Sequence, residues 1–232
     1  VSAVTSDDRS PFAFTNLDAD ELNARDAGQD LPFLLRLTPS VVVTSDAGNG
    51  IGYTGMRIRG SDASRINVTI NGVPLNDAES QGVYWVDLPD LGASVSGLQI
   101  QRGVGTSTVG PGAFGGSVAV NTLGDIVKPN VKAVLGMGSF NSYRQSVSWN
   151  TGMLGDGISF DGRASHISSD GYIDRASSEL SSLYTSLVKR WTSGKVSLTT
   201  MLGHERTYQA WYGVPQIVTE EDISDTDIQD WA

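Results

Sequence analysis

The pattern of apolar and polar positions changes character near the middle of the chain. Up to about residue 124, short apolar runs are separated by glycine-rich stretches, and beyond Pro129 apolar and polar positions alternate over longer segments. Residues 1–15 read as extended, with Ser10-Pro11 excluding regular helix. Asn16-Leu17-Asp18-Ala19-Asp20-Glu21-Leu22 has helix-start chemistry: an Asn or Asp cap, then carboxylates in the first turn. Asp30–Leu37 predicts a second short helix. There Leu31, Leu34 and Leu35 share a face, Pro32 sits near the start, and Pro39 ends it. Val41-Val42-Val43-Thr44 predicts a buried strand, and Met56-Arg57-Ile58-Arg59-Gly60 alternates apolar with charged. Asn67-Val68-Thr69-Ile70 predicts a strand that turns back at Asn71-Gly72, a strong hairpin signal, into Val73-Pro74-Leu75. Leu98–Gly103 and Gly116–Thr122 add two strands, which makes the first half a small mixed α+β unit.

In the second half, Tyr143, Gln145, Val147, Trp149, Thr151 and Met153 share one face, against Arg144, Ser146, Ser148 and Asn150. Ile158, Phe160, Gly162 and Ala164 oppose Ser159, Asp161, Arg163 and Ser165. Val196, Leu198, Thr200 and Leu202 oppose Lys195, Ser197, Thr199 and Met201, whereas Leu183 to Trp191 alternates less cleanly. About five strands of roughly ten residues suit a tilted bilayer crossing better than a sandwich, whose strands run about 5–6 residues. The connections at 154–157 and 192–194 are tight, while those over 169–179 and after Gln209 are long. A barrel with short periplasmic turns and long outer loops shows that asymmetry.

Composition removes several classes of function. No apolar run reaches eighteen residues, so no transmembrane helix is expected, which leaves a β-barrel open. With no cysteine there are no disulfides, thiolate metal sites or thiol nucleophiles. The net charge of −10 and the absence of a basic stripe argue against nucleic acid. The six carboxylates between Glu220 and Asp230 read as a solvated loop. Val1-Ser2-Ala3-Val4 has neither a starting Met nor signal-peptide character, as expected of a processed or trimmed chain. Gly110-Pro111-Gly112-Ala113-Phe114-Gly115 matches G-x-G-x-x-G, but a strand pattern follows it instead of the helix a dinucleotide site requires. His166 and His204 fall on the apolar register with no metal-ligand spacing, and no nucleophile–base pair stands out. The expectation is a protein that is not an enzyme and uses no cofactor or metal of its own.

Five segments in order resemble the plug of TonB-dependent outer-membrane receptors. Asp30 to Val41 resembles the helix that leads to the family's P-G-V strand, with Ser40 where Gly is usual. Ile58-Arg59-Gly60 resembles its I-R-G strand, and Thr69-Ile70-Asn71-Gly72-Val73-Pro74-Leu75-Asn76-Asp77 its L-I-D-G-V-P-L-N-D hairpin. Ile100-Gln101-Arg102-Gly103-Val104-Gly105-Thr106-Ser107 resembles V-x-R-G-P-x-S, and Gly112 to Thr122 resembles G-x-x-A-x-G-G-V-I-N-I-x-T. Ser168 to Tyr172 and Thr207 to Pro215 are similar to early barrel segments in one branch of the family.

The resemblance implies an α+β plug followed by antiparallel strands of a transmembrane β-barrel of the 22-stranded type, incomplete here. It divides the chain into an extended segment near the TonB box (1–15), the plug (16–124) and the first barrel strands and loops (125–232). The implied function is TonB-driven import of a scarce ligand across the bacterial outer membrane, a ferric siderophore or related iron compound. The partners are TonB, a small ligand such as a ferric chelate, and outer-membrane lipid. Asn49, Tyr53, Asn76, Gln81, Tyr84, Trp85 and Trp211 are expected at ligand-facing plug apices and loops. Arg59 and Arg102 would lock the plug to barrel glutamates beyond residue 232. The alternative is a secreted β-rich binding or adhesion module without transport.

Overall fold

The computed structural model describes residues 11–104, 112–122 and 128–209. Trp211, the acidic run over 220–230 and the start of the G-x-G-x-x-G stretch lie outside them.

Strand β1 (Ala13–Asp18) comes first and pairs with a strand some eighty residues later, so the plug's sheet begins inside the segment expected to be extended. Asp18 ends β1 and caps helix α1 (Ala19–Arg25). The cap is a reciprocal box. Glu21 N donates to Asp18 Oδ1 at 2.8 Å, and Asp18 N donates to Glu21 Oε2 at 3.2 Å. Helix α2 (Leu31–Leu34) is one turn long, with Pro32 near its start, and Leu31, Leu34 and Leu35 are buried as the spacing predicts. Strands β2 (Val41–Ser45) and β3 (Thr54–Ile58) form a separate hairpin. β4 (Ile66–Ile70) turns into β5 (Val73–Pro74) through Asn71 at φ +53° and Gly72 at φ +83°, the two left-handed residues of a type I′ turn. β6 (Gly97–Arg102) and β7 (Gly116–Asn121) complete a mixed sheet in the order β1-β6-β7-β4-β5, with β4 and β7 parallel. Its core includes Leu22, Leu34, Ile58, Ile66, Val68, Trp85, Ile100, Val118 and Val120.

The second half is an antiparallel meander: β8 (Asn130–Gly138), β9 (Ser142–Asn150), β10 (Ile158–Ser169), β11 (Ser178–Trp191) and β12 (Gly194–Thr207). The sheet order is β12-β11-β10-β9-β8, a single sheet and not a sandwich. A 14-residue strand is about 46 Å long, or about 33 Å across a membrane at 45° tilt, more than the ~25 Å apolar band of an outer-membrane barrel. The outward face is that band. Val131, Leu135, Met137, Val196, Leu198 and Leu202 are exposed there, and the register sets Ala133 beside Val147, Ala164 and Leu183 beside Leu202. The opposite face turns to the plug.

This arrangement explains the blurred alternation of β11. Leu183, Leu187 and Trp191 point outward, while Leu180, Tyr184 and Val188 are buried on the plug side. Leu180 and Ile167 pack with plug residues Ile51 and Val86 in a small apolar cluster of their own. Both faces of the strand are therefore apolar.

Candidate functional site

Two surfaces are candidates: the seam between plug and wall, and the plug loops beside it.

The seam is built around four buried charges. Arg144 on β9 reaches Asp26, just past α1, at 2.8 Å and Asp90 at 2.5 Å. Arg163 on β10 reaches the other oxygen of Asp90 at 2.8 Å. The Asp90 side chain is fully buried, and the other three are at most 7% exposed. Arg163 also donates to the backbone carbonyls of Asp90 and, at 3.3 Å, Pro89. Two arginines and two aspartates balance, which buried charges require. Small residues around them let the plug approach closely: Ser146, Ser165 and Ser186 are buried, and the Cα of Gly203 lies against the Asp87 carbonyl. A methyl group there would meet that oxygen at 2.3 Å. Further ties are Tyr184 Oη to Thr122 Oγ1 at 3.0 Å and Asn49 Nδ2 to Ser169 Oγ at 2.8 Å. The plug thus packs on one face of a wall whose other face is apolar.

Residues 6–117 match the TonB-dependent receptor plug domain. The chain carries the plug domain of the TonB-dependent receptors. Solved receptor structures share the architecture of the plug and of the strands that follow. The copper transporter OprC superposes with a TM-score of 0.69 at 16% identity, over 87% of this chain and 31% of its own. FpvA of P. aeruginosa, bound to heterologous pyoverdines, gives 0.66 at 14% identity, over 85% and 25%. The siderophore receptor PirA from Acinetobacter baumannii gives 0.64 at 15%, over 84% and 32%. The chain spans about a quarter to a third of the length of these structures, and at such identities they show its fold.

The receptor's plug loops place the expected site residues unequally. Trp85 is not an apex residue: it is 4% exposed in the plug core, because a short 3-10 turn (Trp85–Asp87) directs the indole inward. Tyr84, one position earlier, is 52% exposed. Asn76 spends its amide inside the plug, accepting from Val68 N at 2.7 Å and donating to the Ile66 and Gln81 carbonyls at 2.8 Å. It holds the hairpin and shapes the loop. Asp77 closes that loop by accepting from the backbone N–H groups of Ser80 and Glu79, which hold its carboxyl below the ordinary value. Gln81, at φ +58°, stands exposed on the loop. Gln81 and Tyr84 therefore present a small polar-aromatic edge, while Asn76 supports it from behind.

The loop between β2 and β3 faces the wall. Asn49 bonds Ser169, and the Ala47 carbonyl accepts from Tyr172 N at 2.8 Å and Ile173 N at 3.3 Å. Tyr53 donates to Glu205 at 3.4 Å, and burial together with the Glu205 charge raises its phenol above the ordinary value. Asn49 and Tyr53 thus pack against barrel strands. Beneath them, Asp30 accepts from Thr54 Oγ1 at 2.8 Å, and burial pushes its carboxyl up to about 7.

Arg102 donates to the Phe14 carbonyl at 3.1 Å and the Pro39 carbonyl at 3.3 Å, and the Arg59 guanidinium lies against Gly103. Among the described residues no carboxylate ion-pairs with either arginine. The pairs that join plug to wall here have the opposite polarity, with arginine on the wall and aspartate on the plug. Sequence reasoning places Arg144 and Arg163 only on the polar faces of their strands and does not single out Asp26 or Asp90. The available signal was an arginine on the polar face, between Ser142 and Ser146 on β9 and between Asp161 and Ser165 on β10.

Proposed function

We propose that this chain forms the plug and first wall of an outer-membrane receptor that imports a ferric chelate of siderophore type, driven by TonB. The observation that carries the reading is a plug with its own core, ion-paired to one face of strands whose other face is an apolar band. A secreted adhesion module has no use for such a band, since exposed apolar surface of that extent belongs in lipid or an interface. The matching siderophore receptors support iron as cargo, and the plug reading gives the chain a transport role in place of catalysis. In this reading the plug ends near residue 124 and the wall begins near 125. Gln81 and Tyr84 face the ligand, while Arg59 and Arg102 serve a second lock elsewhere on the barrel.

The test is uptake of iron-55 bound to hydroxamate, catecholate or carboxylate chelators by cells that express the full-length receptor, with and without TonB. Accumulation of at least one ferric chelate only when TonB is present is expected. Uptake of copper but of no ferric chelate would overturn the iron assignment, and uptake unaffected by loss of TonB would overturn the energised mechanism.

A further inference from the structure

We infer that Asp90 is the positioning residue of the Gln81–Tyr84 loop: it pins a rigid run, Tyr84 to Asp90, to the barrel wall and so fixes where that loop stands. This rests on the reading of residues 76–84 as a ligand-facing loop, though its test does not.

The run has no slack. Trp85 is anchored in the plug core, and Val86, 2% exposed, packs with Ile51, Ile167 and Leu180 at the seam. Asp87 N bonds the Tyr84 carbonyl at 3.3 Å, and Leu88 N bonds the Trp85 carbonyl at 3.0 Å, so the turn transmits displacement instead of absorbing it. The Asp87 carbonyl abuts Gly203 on β12. At the far end, Asp90 engages guanidinium groups of two neighbouring strands with both carboxylate oxygens, while Arg163 grips the backbone of residues 89 and 90. The exposed loop is thus joined to the wall through the seven residues from Tyr84 to Asp90, whose turn is closed by two backbone hydrogen bonds.

The backbone singles out the residue type. Asp90 sits at φ +57°, ψ +25°, a left-handed conformation that Asp and Asn tolerate better than most residues. Asparagine keeps that conformation and nearly the same shape but removes the charge. Arg163 then loses the only carboxylate it pairs with among the described residues, and Arg144 keeps only Asp26. The base of the run loosens, and the hydrogen-bonded turn carries that freedom up to Tyr84.

The experiment uses the full-length receptor in detergent, carrying a nitroxide at Tyr84→Cys or, as control, at Val73→Cys on β5. In Asp90→Asn the label at 84 is expected to gain a mobile component that is absent from the parent spectrum, with the label at 73 unchanged. Should Asp90→Asn fail to accumulate, Arg163→Lys keeps the positive charge and removes the guanidinium fork, and the same change at 84 is expected. An immobile label at 84 in the variants overturns the inference, as does equal loosening at both positions, which would make Asp90 a general support of the plug. Both readouts are independent of transport, so an iron assignment that fails in the uptake assay leaves this test intact.

Discussion

Tyr84 and Trp85 are adjacent in sequence and opposite in environment, and replacing each with alanine separates support from recognition. Trp85 is 4% exposed, so it has buried nearly all of a side chain that typically hides 150–250 Å². At about 25 cal/mol per Å² that is about 4–6 kcal/mol of transfer free energy, against about 3–5 kcal/mol found for aromatic truncations in cores. The lower range is the better guide, because unfolded chains already bury some apolar surface. Trp85→Ala should therefore raise the local opening of the plug roughly 10²–10⁴-fold, at about 1.4 kcal/mol per factor of ten. Hydrogen exchange on the full-length receptor reads this directly: amides of β4, β6 and β7 should speed up by that factor while the outer-band amides of β9 to β11 serve as internal standard. Tyr84→Ala should leave those amides within about threefold of the parent, as an exposed substitution does. It should instead weaken ligand binding by about 1–3 kcal/mol if the ring is an anchor. Parent-like exchange in Trp85→Ala would refute the assignment of Trp85 to the core, and loss of protection in Tyr84→Ala would refute the division between the two.

Three further outcomes are expected. The Asp30 carboxyl is raised from 3.8 to about 7 by burial, so its contribution to plug stability is fully present below pH 4 and is lost as pH rises through about 7. The shift corresponds to about 4 kcal/mol at most; Asp30→Asn should abolish that slope and stabilise the plug at pH 8, as measured by urea titration at several pH values. Leu187→Arg puts a charge in the middle of the outward band and should cost about 2–4 kcal/mol of barrel stability, whereas Ser186→Ala, one position along and facing the plug, should not impair assembly in outer-membrane fractions. Arg59→Ala combined with Arg102→Ala should admit a large antibiotic that the parent excludes, and unchanged sensitivity would remove both from the proposed second lock.

Most of the plug was legible because its signals are local. Asp18 with Glu21, Pro32 with Pro39, and Asn71 with Gly72 each fix a terminus or a turn from a few neighbouring residues. Strand β1 was missed because its evidence lies at Leu98 and Ile100, far along the chain, and not in its own sequence. The site was less legible for a related reason. Whether Trp85 or Tyr84 faces out depends on one 3-10 turn, and Asn76 looks like a ligand residue until its three partners are known. The aspartates at 26 and 90 gave no signal, since burial of an acidic residue shows only when its arginine is in place.

The two-sided apolar character of β11 has a use beyond this chain. A strand in a water-filled pore must keep strict alternation, because one side meets lipid and the other meets water. Where solid protein replaces the water, the inner positions are free to become Leu180, Tyr184 and Val188, and the period-two signal fades. A lapse in alternation is then a footprint. Plotted strand by strand around a barrel, such lapses outline what fills the pore, and their edges mark where solvent begins.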